Sequence, residues 1–346
     1  MVASVRIRFV TSTPLDIQRG SGTYVGIEVL ARALTALGHS VEFTTPRVHL
    51  PVYTAERLWF NRRLRREPDF DVTVGFDMDG YRIADVAALK GVIADEARFE
   101  TGLTRFTMGV QARCERLHVE RARSVVTTSR YSAERARELY GLPRLPTIVP
   151  ELIDLARWRS ALELNPAAAC SRFTVLFVGR LYRRKRVDVL VRAAAALRGR
   201  IPDLEVRVVG NGPCAAWLRA LTRDLGLEGS LSWLGDVSRR ELASEFNRCA
   251  VFCLPSVQEG FGIVLLEAMA AAKPLVASRA AAIPEVAPQA VLVEPESAEA
   301  LAAGIELLYR SPDVGAAQAS SGARWVEQFD APRVAQLFVD AICAAG

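Results

Sequence analysis

Short apolar runs alternate with amphipathic stretches along the 346 residues, and the rhythm restarts once near the middle. The first run, Val5–Thr11, predicts a strand. A loop containing RGSGTY follows, then a stretch from Tyr24 to Leu37 in which Ile27, Leu30, Ala31 and Leu34 share one helical stripe. Gly38 closes that helix and Val41–Thr45 predicts the next strand, so the opening is a β-loop-α-β unit of parallel-sheet type. Further strands are expected at Asp71–Phe76, Gly91–Asp95 and Ser124–Ser129, before the proline-rich Leu142–Pro150 breaks the pattern. After a small, loose segment at Asn165–Ser171 the rhythm resumes with strands at Thr174–Gly179, Glu205–Gly210, Ser230–Gly235, Ala250–Pro255, Pro274–Ser278 and Ala290–Pro295.

A strand every 20 to 30 residues, twice over, predicts an α/β chain of two Rossmann-like, doubly wound domains facing a central cleft. The expected division is residues 1–155 as the first domain, 156–170 as a hinge and 171–328 as the second domain. A final helix in 329–346, about Pro332–Ala345, would cross back to the first.

Composition narrows the function classes. No run of 18 apolar residues occurs, so no span is expected, and Arg6 and Arg8 inside the first run make it a strand rather than a signal peptide. Six scattered cysteines with no CxxC pair, and three dispersed histidines, speak against a zinc site or a disulfide framework; a reduced, cytoplasmic setting is expected. A net charge of +5 spread over both halves gives no case for a nucleic-acid binder. Of 44 basic residues only Lys90, Lys185 and Lys273 are lysines, which hints that each marks a place for a compact point charge.

In a doubly wound sheet the residues just past each strand carry the chemistry. After TVLFVG come Arg180 and, five residues on, Lys185, near the expected start of a helix. Two cations at a helix N-terminus make a seat for a diphosphate, with a solvated basic turn as the plain alternative, since Arg183, Arg184 and Arg186 crowd it. After AVFCLP comes PSVQEGFGIVLLEAMA: Glu259 in the loop, Gly260 and Gly262 allowing close backbone approach, and Glu267 in the first turns of a helix. Ionised carboxylates accept hydrogen bonds and donate none, so two of them suit a ligand with two separated diols, as in a nucleotide sugar. The plain alternative is a helix-dipole acid and a loop acid.

EGFGIVLLEAMA resembles the E-x7-E signature of the retaining GT-B glycosyltransferases of the glycosyltransferase 4 family, and VGRLYRRK resembles their GRL-x3-K diphosphate motif. GNGP (Gly210–Pro213), IPEV (Ile283–Val286) and the N-terminal glycine-rich loop extend the resemblance over nearly the whole chain. It implies that Arg180 and Lys185 hold the diphosphate of a nucleoside-diphosphate sugar, a UDP-sugar first with GDP and ADP open. It further implies that Glu267 binds the ribose and Glu259 the donor sugar. Gly179, Gly210, Asn211, Gly212, Leu234, Gly260, Phe261, Gly262, Ile263 and Val264 complete the implied donor site. Arg180, Lys185 and Glu259 form the implied catalytic set, without metal or further cofactor, and retention of configuration is expected. Gly20, Ser21 and Gly22 would line the acceptor side.

The chain departs from that pattern in places. No histidine stands at the expected strand ends of the first domain; Asp77, Asp79, Asp95 and Glu96 stand there instead and are assigned to the acceptor side. Asp77-Met78-Asp79 also mimics a DxD metal motif able to hold Mn²⁺ or Mg²⁺, acceptor hydrogen bonding being the preferred reading. Ala281-Ala282 replaces a usual Gly-Gly, and Arg186 replaces a glycine. The basic run Glu56–Arg66, with Trp59 and Phe60, is of a kind that lies on anionic membranes, which would place the chain peripherally at an inner membrane face and suit a lipid-linked acceptor. Carbohydrate and small-molecule acceptors fit equally. A dehydrogenase is disfavoured because Val25 stands where GxGxxG needs its third glycine. A nucleotide-sugar epimerase and an inactive nucleotide-sugar-binding relative are the remaining alternatives.

Overall fold

The computed structural model of the protein describes residues 4–13, 22–167 and 172–343. The chain divides into two compact units, residues 1–152 with 331–346, and residues 153–330. Each is built on a six-stranded sheet in which every strand pair is parallel.

In the first unit the strands are β1 (Arg6–Val10), β2 (Ser40–Thr44), β3 (Val72–Phe76), β4 (Val86–Leu89), β5 (Ser124–Thr127) and β6 (Thr147–Ile148), in the order β2-β1-β3-β4-β5-β6. Parallel strands covered on both faces read as continuous apolar runs, and β3 and β4 are buried at every position. The stripe foreseen on the first helix, Gly22–Ala36, is fully inside, with Ile27 and Leu34 at 0% exposure. Phe9 on β1 meets Phe43, Phe76 and Phe338 edge to face, which draws the last helix, Ala331–Cys343, into this unit's core.

The second unit contains β7 (Phe173–Val178), β8 (Leu204–Val209), β9 (Leu231–Gly235), β10 (Val251–Leu254), β11 (Leu275–Ser278) and β12 (Val291–Val293), in the order β12-β11-β10-β7-β8-β9. Its core includes Phe177, Phe252, Phe246 and Trp158; Phe246 stacks on Phe252 and takes the edge of Trp158.

Three expectations are corrected. Gly91–Asp95 is not a strand: the fourth strand is the preceding VAAL, whose small side chains fit between β3 and β5, while Ile93–Glu96 turns into a short helix with its acids in the first turn. The proline-rich 142–150 stretch still contributes the two-residue edge strand β6. Within 156–170, read as a linker, Leu155–Leu164 is a helix whose first turn is capped by the Asp154 side chain.

Candidate functional site

The order of the second sheet places β7 and β10 side by side at the point where the chain reverses direction across the sheet. Connections leave such a pair toward opposite faces, and a crevice opens beyond the carboxyl ends. The loops leaving these two strands carry Arg180, Lys185 and Glu259. Lys185 closes a one-turn 3₁₀ segment, Arg183–Lys185, and its Nζ lies 2.5 Å from Glu259 Oε1. Arg184 Nη1 stands 4.0 Å from the other carboxylate oxygen and donates to the Gln258 carbonyl, while the Val257 amide donates back to the Arg184 carbonyl. The β7 and β10 loops are thus tied together by backbone as well as by charge. Burial works to raise the Glu259 pKa, but Lys185 and Arg184 outweigh it and hold the carboxyl below its ordinary range. Arg180 is partly exposed, with Nη1 4.0 Å from Asp236.

The helix that follows Glu259, Ile263–Ala270, starts from Gly262 in the left-handed region (φ 89°). Its first-turn amides, including those of Ile263 and Val264, have no partner within the helix and point out of its N-terminus. Phe261 is buried edge-on against Phe329 and fixes the loop's path. Glu267 lies one turn further, nearly buried, and burial pushes its carboxyl up to about 7 against the pull of Arg239. The Trp158 indole N–H donates to the Glu267 carbonyl from below.

The structure gives the glycines of this region a more specific reason than ligand approach. A Cβ on Gly210 would lie 2.1 Å from the Gly179 carbonyl oxygen, and one on Gly212 2.7 Å from the Leu181 amide. The β7 and β8 loops cross there, with Leu181 N–H donating to the Asn211 carbonyl. Leu234 sits on β9 beside the register shift at Val208 and Val209. Two of the three replaced glycines also find an account. Arg186 adopts φ 46°, ψ 42°, a left-handed conformation that suits glycine, and it is held by ion pairs to Asp188 and Glu296. Ala281 likewise stands at φ 50°.

In the first unit the corresponding reversal lies between β1 and β3. Gly20 and Ser21 fall outside the described residues; Gly22 begins the first helix. Asp79 is not available to an acceptor or a metal. It is fully buried and accepts from the Ser12 amide and hydroxyl, from Arg57 and from Asn61, which occupies both of its oxygens. Asp95 is equally committed, to Tyr131, Arg98 and Arg135. Among the described residues, no group of three or more His, Cys, Asp and Glu side chains is placed to hold a metal ion. Glu96 follows Asp95 on the same short helix. Asp77 is strained (φ 52°) at the end of β3; burial raises its carboxyl to about 6, and one oxygen accepts from the Lys90 amide.

His118, set aside on sequence, packs behind this strand end. Its Nδ1–H donates to the Asp77 carbonyl at 2.6 Å, and burial lowers its pKa to about 4, so it supports the loop as a neutral ring. Gly75 makes room for it, since a Cβ there would lie 2.6 Å from the imidazole. The residue at the end of β4 is Lys90, which sequence reasoning missed because the strand was placed five residues too late. Its ammonium pairs with Glu151 at 2.9 Å, both buried, beside a small cavity lined by Thr127, Thr128 and Phe338. Each of the three lysines has an acceptor in close reach: Glu151 for Lys90, Glu259 for Lys185 and the Asn247 carbonyl for Lys273.

The Glu56–Arg66 run also differs from expectation. Its helix, Tyr53–Arg63, buries Glu56, Arg57, Phe60 and Asn61, while Arg63 covers the face of Trp59 at 3.9 Å. The outward face is therefore basic rather than amphipathic. No helix among the described residues is long and apolar enough to cross a membrane. Because Arg57 and Asp79 form a buried pair, Arg57→Met is expected to destabilise the first unit by about 3–5 kcal/mol. Calorimetric melting would show this.

Residues 166–325 match the family model described as Glycosyl transferases group 1. Phosphatidyl-myo-inositol mannosyltransferase of Mycolicibacterium smegmatis is 31% identical over 303 residues, covering 79% of this chain and 76% of that protein. D-inositol 3-phosphate glycosyltransferase of Pseudarthrobacter chlorophenolicus is 32% identical over 213 residues, 57% of this chain, and the match spans about half (51%) of that relative's length. Among solved structures, sucrose-phosphate synthase from Thermosynechococcus elongatus aligns with a TM-score of 0.79 over 98% of this chain and 100% of that one, at 20% identity.

Proposed function

The chain belongs to the glycosyltransferase 4 family of group 1 glycosyl transferases, and from that premise we propose that it moves a sugar from a nucleoside-diphosphate sugar to an acceptor hydroxyl with retention of configuration. One observation carries the reading. Lys185 and Glu259, a cation for phosphate and an acceptor for hydroxyls, meet at the carboxyl ends of the two central strands, with the helix N-terminus and Glu267 following directly. A diphosphate joined to a sugar matches that spacing of charge.

Arg180, Lys185 and the first-turn amides of Ile263–Ala270 take the diphosphate; Glu259 takes sugar hydroxyls and Glu267 the ribose. The acceptor oxygen attacks the anomeric carbon on the face the diphosphate leaves. The C–O bond to phosphate breaks with its electron pair passing to the phosphate oxygen, and the acceptor proton goes to that oxygen. Negative charge grows on the leaving group, so fixed cations lower the barrier without a metal; one such contact contributes about 3–4 kcal/mol. Incubation with UDP-, GDP- and ADP-sugars in EDTA tests this. Release of one nucleoside diphosphate, slow without acceptor and with the sugar unepimerised, supports it; epimerised donor without release defeats it.

The acceptor is the finer part of the same reading. The smegmatis relative is named for a phosphatidyl-inositol substrate, and the exposed Arg62, Arg63, Arg65 and Arg66 would hold this chain against anionic headgroups. Co-sedimentation with phosphatidylglycerol vesicles that fails at low salt would remove the membrane contact.

A further inference from the structure

Resting on the assignment of Glu267 to the ribose, we propose that Arg239 is a positioning residue that favours and aims the ionised Glu267 carboxylate, and so sets the pH range over which nucleotide binds. Arg239 begins helix Arg239–Arg248, whose N-terminus is fixed by a capping box between Ser238 and Glu241. Its guanidinium lies over the ring of Trp158, 4.9 Å from the centroid, and its Nη1 is 4.0 Å from Glu267 Oε1. Trp158 is fully buried and donates its indole N–H to the carbonyl of the same Glu267. One indole ring therefore registers the cation against the backbone that carries the acid. The Arg239 Nε is buried with no partner of its own among the described residues, so the fork is held by stacking and charge rather than by a second acid.

The helix carrying Glu267 packs against helix Leu155–Leu164, helix Pro312–Trp325 and the turn Val326–Phe329. These bring Arg157, Arg159 and Glu163, Asp313 and Arg324, and Glu327. Arg159 pairs with Glu327, and Arg324 bonds Ser320. Among the described residues, Arg239 is the charge that pulls the Glu267 carboxyl down against burial. A ribose presents two hydroxyl donors, and only the ionised carboxylate accepts both without offering a proton in return.

The test is calorimetric titration with UDP and GDP between pH 5.5 and 9 for the wild type, Arg239→Lys, Arg239→Met and Arg239→Gln. An opposite charge at this distance moves a carboxyl by about one pH unit or more. Arg239→Met is therefore expected to weaken binding about five-fold at pH 7 and about nine-fold at pH 6, with the difference vanishing by pH 9. Arg239→Lys restores the wild-type midpoint, and Arg239→Gln, whose planar amide can still lie over Trp158, repeats the Met result should the Met variant fail to fold. An unchanged midpoint in both neutral variants, with or without weaker affinity, overturns the proposal. Absence of nucleotide binding by the wild type is a separate result that removes the donor-site reading itself.

Discussion

Lys185→Met is expected to lower kcat by about 10²–10³ while leaving KM for the donor within a few-fold, because the cation acts most strongly on charge that exists only in the transition state. The same change strips the buried Glu259 of its 2.5 Å cation, leaving Arg184 at 4.0 Å as the remaining charge. A buried charge left in this way destabilises by about 3 kcal/mol. The two effects are separable. In Lys185→Met/Glu259→Gln the uncompensated charge is gone, so the melting temperature returns toward wild type while turnover stays low. Recovery of both rate and stability in the double variant would mean that Lys185 serves the fold and not the leaving group.

Glu267→Gln is expected to stabilise the protein and weaken its nucleotide binding together. Burial raises this carboxyl from its ordinary 4.5 to about 7, so the fold prefers the neutral form. Ionising it costs stability progressively as pH rises through that window, and the cost is fully present above pH 8. Replacement by the neutral amide recovers about 2–3 kcal/mol at pH 8, roughly 4–10 °C in melting temperature, and close to nothing at pH 4. Loss of a charge-assisted acceptor weakens nucleoside diphosphate by about 2 kcal/mol, roughly thirty-fold. A buried acid kept at the expense of stability is the pattern of a binding site. A Gln variant that melts lower at pH 8 than the wild type would contradict this account of Glu267.

Much of this was legible in the sequence. Apolar runs bounded by Gly and Pro placed ten of the twelve strands within a residue or two, because parallel strands buried on both faces have little freedom in composition. The β4 strand was misplaced because VAAL is made of small residues and GVIAD looked more like a strand. That one slip moved the strand end from Lys90 to Asp95 and Glu96. Spacing found the residues of the β7 and β10 loops, since Lys185, Glu259 and Glu267 are local to their strand ends. It could not find pairings between distant segments: that Asp79 is consumed by Ser12, Arg57 and Asn61, or that Arg239 lies over Trp158 beside Glu267. The glycines of GNGP were visible as a motif, but their reason, the crossing of two backbone loops at Gly179 and Gly210, exists only in three dimensions. The missing glycines at Arg186 and Ala281 looked like departures, yet both positions keep the left-handed backbone.

The central claim is that the loops leaving β7 and β10 bind a nucleoside diphosphate. Calorimetric titration of the protein with UDP, GDP, ADP, dTDP and NAD in EDTA tests it most directly. One nucleoside diphosphate is expected to bind at one site per chain, without metal, and to bind more weakly in both Lys185→Met and Glu267→Gln. Binding of NAD alone, of nothing, or of a nucleotide indifferent to both substitutions would contradict it.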